Sequence, residues 1–286
     1  MTEINNKRLR SDIKDIVTNP LHSHGIHYIP NETNMTEGYL CIVGTEDTPY
    51  FGGYYLFKFT FPNTYPFEPP DVKFLTNDGI TRYNPNLYKD DNGKGGRVCV
   101  SLLNTWSGEQ WTACQNIRSV ALAMCTLLNN KPLLNEPGVA ESHPDLNNYS
   151  QIIKFKNLEF AVCSLLLNPT IIPHCSLFYD IMVEHFLKNY DKLMEVVAKG
   201  KEDYPTEELL CISAYNGMNT KINYDMLEHK LRSVKEKLDN EAAEAKAKAK
   251  EEAATEATEA AEATEAKAKA KAKEAATEAT EATEAK

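Results

Sequence analysis

Cys99 lies in the run Arg97-Val98-Cys99-Val100-Ser101-Leu102-Leu103, and ahead of it stands the turn Tyr83-Asn84-Pro85-Asn86-Leu87-Tyr88. A thiol near a fixed amide donor is the minimum equipment for acyl transfer: the sulfur attacks a carbonyl carbon, and the amide meets the oxyanion that forms. A cysteine flanked by valines is equally suited to being a small packed hydrophobe. No histidine lies close in sequence to serve as its base, in contrast to a Cys-His protease. Between turn and thiol runs Lys89-Asp90-Asp91-Asn92-Gly93-Lys94-Gly95-Gly96, whose three glycines fit either a mobile flap or an inert insertion.

Other chemistries find less support. His22, His24 and His27 suggest a metal set, with His22 and His24 expected on one strand face, but no carboxylate or cysteine completes it. Asp90-Asp91-Asn92 lacks calcium-loop spacing, and Gly93-Lys94-Gly95 is no phosphate loop. No metal site is expected. The seven cysteines form no Cys-x-x-Cys pair and are odd in number, so free thiols in a reducing compartment, cytosol or nucleus, are expected. Cys41, Cys125 and Cys163 sit in apolar runs and are expected in the core, as is His185, read as a satisfied structural residue. A formal net charge of -10 argues against a nucleic-acid partner. No run of roughly 20 apolar residues points to a membrane. The exception to the acidic balance is a basic patch at Lys7, Arg8, Arg10 and Lys14.

These residues need elements to hold them. A helix is expected over Lys7–Thr18, with a stripe of Leu9, Ile13, Ile16 and Val17. Strands are expected at Gly38–Val43, around Tyr55–Phe61 and at Asp71–Leu75, with Pro62, Pro66, Pro69 and Pro70 breaking the last connection. Helices are expected over Gln115–Asn129, from an N-cap at Ser150 to Leu167, and from Leu177 to a stop at Gly200. Leu227, Leu231, Val234 and Leu238 predict a packing helix too short to be claimed as a coiled coil. This order is that of an α+β domain with helices segregated from an antiparallel sheet. From Glu241 onward alanine, glutamate, lysine and threonine dominate, and 12 Glu stand against 8 Lys. Such a tail builds no core and is expected to be disordered or a solvent-exposed helix.

Taken in order, several motifs carry a resemblance: Gly52-Gly53; Phe61-Pro62-Asn63-Thr64-Tyr65-Pro66-Phe67-Glu68-Pro69-Pro70; Asn84-Pro85-Asn86; Cys99; Asn104-Thr105-Trp106-Ser107-Gly108; Trp111; and Asn135-Glu136-Pro137-Gly138. Over roughly Lys7–Leu167 the chain resembles the ubiquitin-conjugating enzymes, and it is most similar to their larger, type-Z-like members. The resemblance implies a ubiquitin-conjugating (UBC-like) α+β fold: an N-terminal helix, a four-stranded antiparallel meander and C-terminal helices. It divides the chain into a catalytic core at 1–168, a helical extension at 169–240 and the low-complexity tail at 241–286.

The resemblance also implies roles. Cys99 would take ubiquitin or a ubiquitin-like protein from an activating enzyme as a thioester, then pass it to a substrate lysine or a ligase. Asn86 would be an oxyanion donor or a support for the active-site loop, and Glu136 would position or deprotonate the incoming lysine. Lys7, Arg8 and Arg10 would meet the activating enzyme; Phe67, Thr112 and Ala113 would meet the ligase. No cofactor is implied, since the activating enzyme consumes the ATP. The other reading is a non-catalytic ubiquitin-binding scaffold of the same fold. Asn84 departs from the histidine common in the family, as it does in the larger members. Ala113 departs from a common proline, which bears on the choice of ligase.

Overall fold

The computed structural model describes residues 3–89, 95–215, 217–250, 255 and 267. Most of the insert between turn and thiol, and most of the tail, lie outside the described residues. Residues 1–234 make one compact unit and 235–286 a second.

Helix α1 (Glu3–Thr18) opens the chain. Leu9 and Ile16 of its expected stripe are buried, whereas Val17 is exposed. Strands β1 (Ile26–Pro30), β2 (Glu37–Val43), β3 (Tyr54–Thr60), β4 (Asp71–Phe74) and β5 (Gly96–Arg97) follow in one antiparallel sheet, ordered as in the chain. The α+β meander is therefore present, with five strands where four were expected. The additional edge pairing, Lys73 with Arg97 and Phe74 with Gly96, is only two residues long and too short to show a pattern. It matters because it delivers the chain directly to Cys99.

Next come α2 (Ile117–Cys125) and α3 (Leu146–Lys156). From α3 a π-helical stretch (Asn157–Ser164) continues into the short α4 (Leu165–Leu167). Helix α5 (Tyr179–Asp203), strands β6 (Glu208–Leu210) and β7 (Thr220–Ile222), and helix α6 (224–250) complete the described chain.

Helices α2, α3 and α5 have ends that differ from the expectation. A capping box sets the start of α2: the Asn116 side chain accepts from the Ser119 amide, and Ser119 Oγ accepts from the Asn116 amide. The Leu127 carbonyl beyond its end is taken by Asn84 and Asn135. Helix α3 begins at Leu146, so Ser150 lies in its interior rather than at its cap. Helix α5 runs through Gly200. That glycine is a close-approach site and not a stop, because a Cβ there would lie 2.2 Å from the Tyr224 ring.

The sheet is covered on both faces, and β3 shows how. Tyr55 donates to Asn157 Oδ1 at 2.7 Å on the side of the α3–α4 rod, while Tyr54 donates to the Met182 carbonyl of α5 at 2.7 Å on the other. Successive strand residues point to opposite faces, so two adjacent tyrosines tie two layers to one sheet. Asn157 reaches in only because position 53 is glycine; a Cβ there would stand 1.8 Å from its Oδ1. Phe178, Met182, Phe186 and Leu193 are all essentially fully buried. At roughly 1.5–3 kcal/mol for each such side chain, the residues beyond 168 supply a substantial part of the core. Leu227, Leu231 and Val234 are buried as their spacing predicted.

Candidate active site

Asn84 organises the site. It is fully buried in the turn after Tyr83. Its Oδ1 accepts from the Asn86 amide at 2.9 Å and from Asn135 Nδ2 at 3.3 Å. Its Nδ2 donates to the Leu127 carbonyl at 2.8 Å and to Tyr50 Oη at 3.2 Å. A primary amide has two donors and an acceptor oxygen, and here one amide spends all of them fixing three segments. Tyr50 completes the cage by donating to the Tyr83 carbonyl at 2.7 Å.

Asn86 and Cys99 are joined twice. The Cys99 amide donates to the Asn86 carbonyl at 2.9 Å, and Asn86 Nδ2 donates to the Cys99 carbonyl at 2.6 Å. Asn86 Oδ1 is buried without a partner. Thr105 braces the far side of the thiol by accepting from the Val100 amide and donating to the Val98 carbonyl. Cys99 itself is 3% exposed.

Glu136 joins this frame through its neighbour. Asn135 bonds to Asn84, and Asn84 holds the Asn86 amide, so two hydrogen bonds separate the Glu136 loop from the residue that grips Cys99. The Glu136 carboxylate accepts from Tyr215 Oη, a residue of the segment joining β6 and β7. Burial, followed by the hydrogen bond and negative charge of Glu136, pushes the Tyr215 phenol well above its ordinary value. Nothing in the irregular sequence around Tyr215 marked it. Asn84 stands out in the sequence as a departure from a family pattern, whereas its place as the hub depends on contacts with Tyr50, Leu127 and Asn135.

A second group forms around Phe67, which is 73% exposed. Trp111 donates through Nε1 to the Pro66 carbonyl at 2.7 Å, fixing the loop that bears Phe67 beside the one bearing Thr112 and Ala113. Arg8 ties α1 to that second loop, donating to the Ala113 and Gln115 carbonyls at 2.7 Å each. Its Nε faces Asp12 at 2.9 Å, and Asp12 also accepts from Tyr65. Arg8 thus spends its donors internally, whereas Lys7 and Arg10 project from α1 as exposed charges. The four residues read together as a basic patch do not present their charge alike.

The histidines arrange differently from the expectation. His22–His24 form a tight helical turn, so His22 and His24 share no strand face, and His22 stacks on His27 of β1 at 4.5 Å. Burial first, then the nearby His22 and His185, lowers the His27 pKa to about 4. Among the described residues, no three His, Cys, Asp or Glu are grouped to hold a metal ion. Asn189 faces His185 Nε2, but His185 Nδ1 is buried without a partner, so this histidine is only half satisfied.

Cys41 and Cys163 are buried as expected, and burial pushes the Cys163 thiol up to about 12. Cys125 is only partly covered, while Cys114 and Cys211 are exposed.

Comparison with known proteins places this arrangement. The family model described as ubiquitin-conjugating enzyme matches residues 8–157. The chain is 36% identical over 197 residues to ubiquitin-conjugating enzyme E2 Z of Homo sapiens, covering 68% of this chain and 53% of that protein. It is 37% identical over 187 residues to the E2 Z of Danio rerio, covering 64% and 54% respectively. The dual E2 ubiquitin-conjugating enzyme/E3 ubiquitin-protein ligase BIRC6 of Homo sapiens is 32% identical over 173 residues, covering 56% of this chain and 3% of that protein. The chain thus spans little more than half the length of the E2 Z proteins it matches. With more than half of its residues inside the family model, and the α+β meander in place, this chain belongs to the ubiquitin-conjugating enzyme family.

Proposed function

We propose that this protein is an acyl-carrying conjugating enzyme whose thioester forms on Cys99. Cys99 Sγ attacks the C-terminal carbonyl of ubiquitin, or of a ubiquitin-like protein, held as a thioester on the activating enzyme. A new S–C bond forms, the old one breaks, and the proton lost from Cys99 goes to the departing thiol. In the second step a substrate lysine amine attacks that carbonyl, an amide forms, the Cys99 sulfur leaves, and Glu136 accepts the amine's proton. Alternatively a ligase receives the modifier. The double tie between Asn86 and Cys99 carries the reading, because it fixes the main chain on either side of the reacting sulfur. With its Nδ2 on the Cys99 carbonyl, Asn86 serves as a support for the loop.

In this reading residues 1–168 are the catalytic core, 169–240 a helical extension, and 241–286 a tether. Exposed Lys7 and Arg10 face the activating enzyme, with Arg8 acting through α1. Phe67, Thr112 and Ala113 form the ligase surface. The free thiols fit cytoplasm, nucleus or both. A ubiquitin-binding scaffold would need none of Cys99, Asn86 and Glu136 in this frame. Mixing the full chain with activating enzyme, ATP and ubiquitin is expected to give an adduct that reductant cleaves and that Cys99→Ala abolishes. No adduct with several activating enzymes and several modifiers overturns the proposal.

A further inference from the structure

We infer that Tyr215 is a positioning residue of the transfer step, contributed by the C-terminal extension to hold the Glu136 carboxylate in its working orientation. The inference rests on the reading just given, in which Glu136 takes the proton of the attacking amine. The Tyr215 hydroxyl donates to Glu136 Oε2. A carboxylate has two oxygens, so a phenol held on one fixes where the other points without using it up.

The extension is built to hold this phenol still. Just before Tyr215, Asp145 Oδ2 accepts from the Ser213 amide at 2.8 Å, the Ser213 hydroxyl at 2.7 Å and the Ala214 amide at 2.8 Å. Asp145 precedes α3, yet its side chain does not cap that helix and is spent on the loop instead. Asn148 of α3 adds a bond to the Cys211 carbonyl at 3.1 Å. The Tyr215 ring packs against Tyr149 with centroids 5.9 Å apart, and the Arg82 guanidinium lies 5.8 Å from its centre. Arg82 stacks on Tyr88 at 3.4 Å and donates to the Pro85 carbonyl at 2.6 Å, while its own carbonyl accepts from Tyr149. The same arginine therefore borders the asparagine turn and the ring that holds Glu136.

A glutamate on a surface loop has three side-chain torsions to fix before it can meet an amine, and freezing them beforehand shortens that search. Arg82, Tyr88 and Tyr149 lie around the pair.

The test uses the full chain with Tyr215→Phe, which keeps the ring and removes only the hydroxyl, alongside Glu136→Gln and the double variant. Each is charged with ubiquitin by activating enzyme and ATP, and discharge to free lysine is then followed in a single turnover. Tyr215→Phe is expected to slow discharge about five- to tenfold relative to charging, in the limiting rate at high lysine and not in the lysine concentration that half-saturates it. In the Glu136→Gln background it is expected to add no further loss. Undiminished discharge in Tyr215→Phe, a loss confined to the half-saturating lysine concentration, or an equal loss in both backgrounds overturns the inference. If the unmodified protein fails to charge at all, the underlying conjugating-enzyme reading falls instead, so the two failures are distinguishable.

Discussion

The first 168 residues and the 66 that follow them meet at the same sheet but contribute differently to it. In the first region the polar side chains converge: Asn84, Asn86, Asn135 and Thr105 spend their amides and hydroxyl on one turn and one cysteine. In the second the main contribution is apolar. Phe178, Met182, Phe186 and Leu193 close the face of the sheet that the α3–α4 rod leaves open, and a single phenol, Tyr215, reaches the site. The difference teaches that an extension can fill out the core of a fold while, among the described residues, one phenol links it to Glu136 of the proposed site.

The sharpest way to break that contrast is to remove chain from the end in two steps. Ending the protein at residue 178 strips Met182, Phe186 and Leu193 from the core and takes away the Met182 carbonyl that holds Tyr54. At 2–5 kcal/mol for losing each such apolar side chain, the loss matches the whole stability of an ordinary domain. The shortened protein should fail to give a cooperative thermal transition. Ending it at residue 240 should leave both the melting temperature and charging unchanged. A well-folded 1–178 fragment would show that the extension is an appendage.

A smaller effect tests the convergent side. Asn86→Asp replaces the amide donor on the Cys99 carbonyl with a second acceptor, leaving a buried acceptor facing another. A loss of about 1–3 kcal/mol is expected, seen in chemical denaturation. Charging and discharge should fall together, since the loop that carries the thiol is what loosens. If discharge alone falls about 10²-fold while stability is kept, Asn86 acts on the oxyanion and its bond to Cys99 is incidental.

Much of this was legible because the informative pieces are local. The aromatic run of β3, the prolines after it and the ordered motifs through Glu136 each follow from neighbouring residues, and the structure assembles them as expected. What was not legible depends on contacts across long stretches of chain. Gly200 looks like a helix stop until Tyr224 is found against it. Arg8 looks like a free charge until Ala113 and Gln115 turn their carbonyls toward it. Tyr215 lies 79 residues from Glu136, in a segment with neither period nor motif. The strand at Ile26–Pro30 is not legible because His27-Tyr28-Ile29 shows no clean alternation, and the same lack of pattern hides the turn at His22–His24.

The smallest expected effect comes from His27, in the strand beside that turn. The folded pKa of His27, about 4, lies below the ordinary histidine value, so the unfolded chain takes up a proton first as pH falls. Stability associated with neutral His27 is therefore complete above about pH 6.5 and is lost progressively toward pH 4. Because the ring is only partly buried, screening holds the loss to about 1–2 kcal/mol. His27→Gln should flatten the denaturation midpoint across that window; an unchanged slope would place the proton uptake elsewhere.

The central claim is that the reacting thiol is the one held in the asparagine frame and not one of the more accessible ones. Cys99 is 3% exposed, whereas Cys114 and Cys211 are open to solvent. Mass spectrometry of the ubiquitin adduct after proteolysis, on the unmodified protein and on Cys99→Ser, reads this directly. A reductant-labile modification on Cys99 alone is expected, replaced in Cys99→Ser by a reductant-resistant ester at the same position. A labile adduct mapping to Cys114 or Cys211, and persisting in Cys99→Ser, would contradict it.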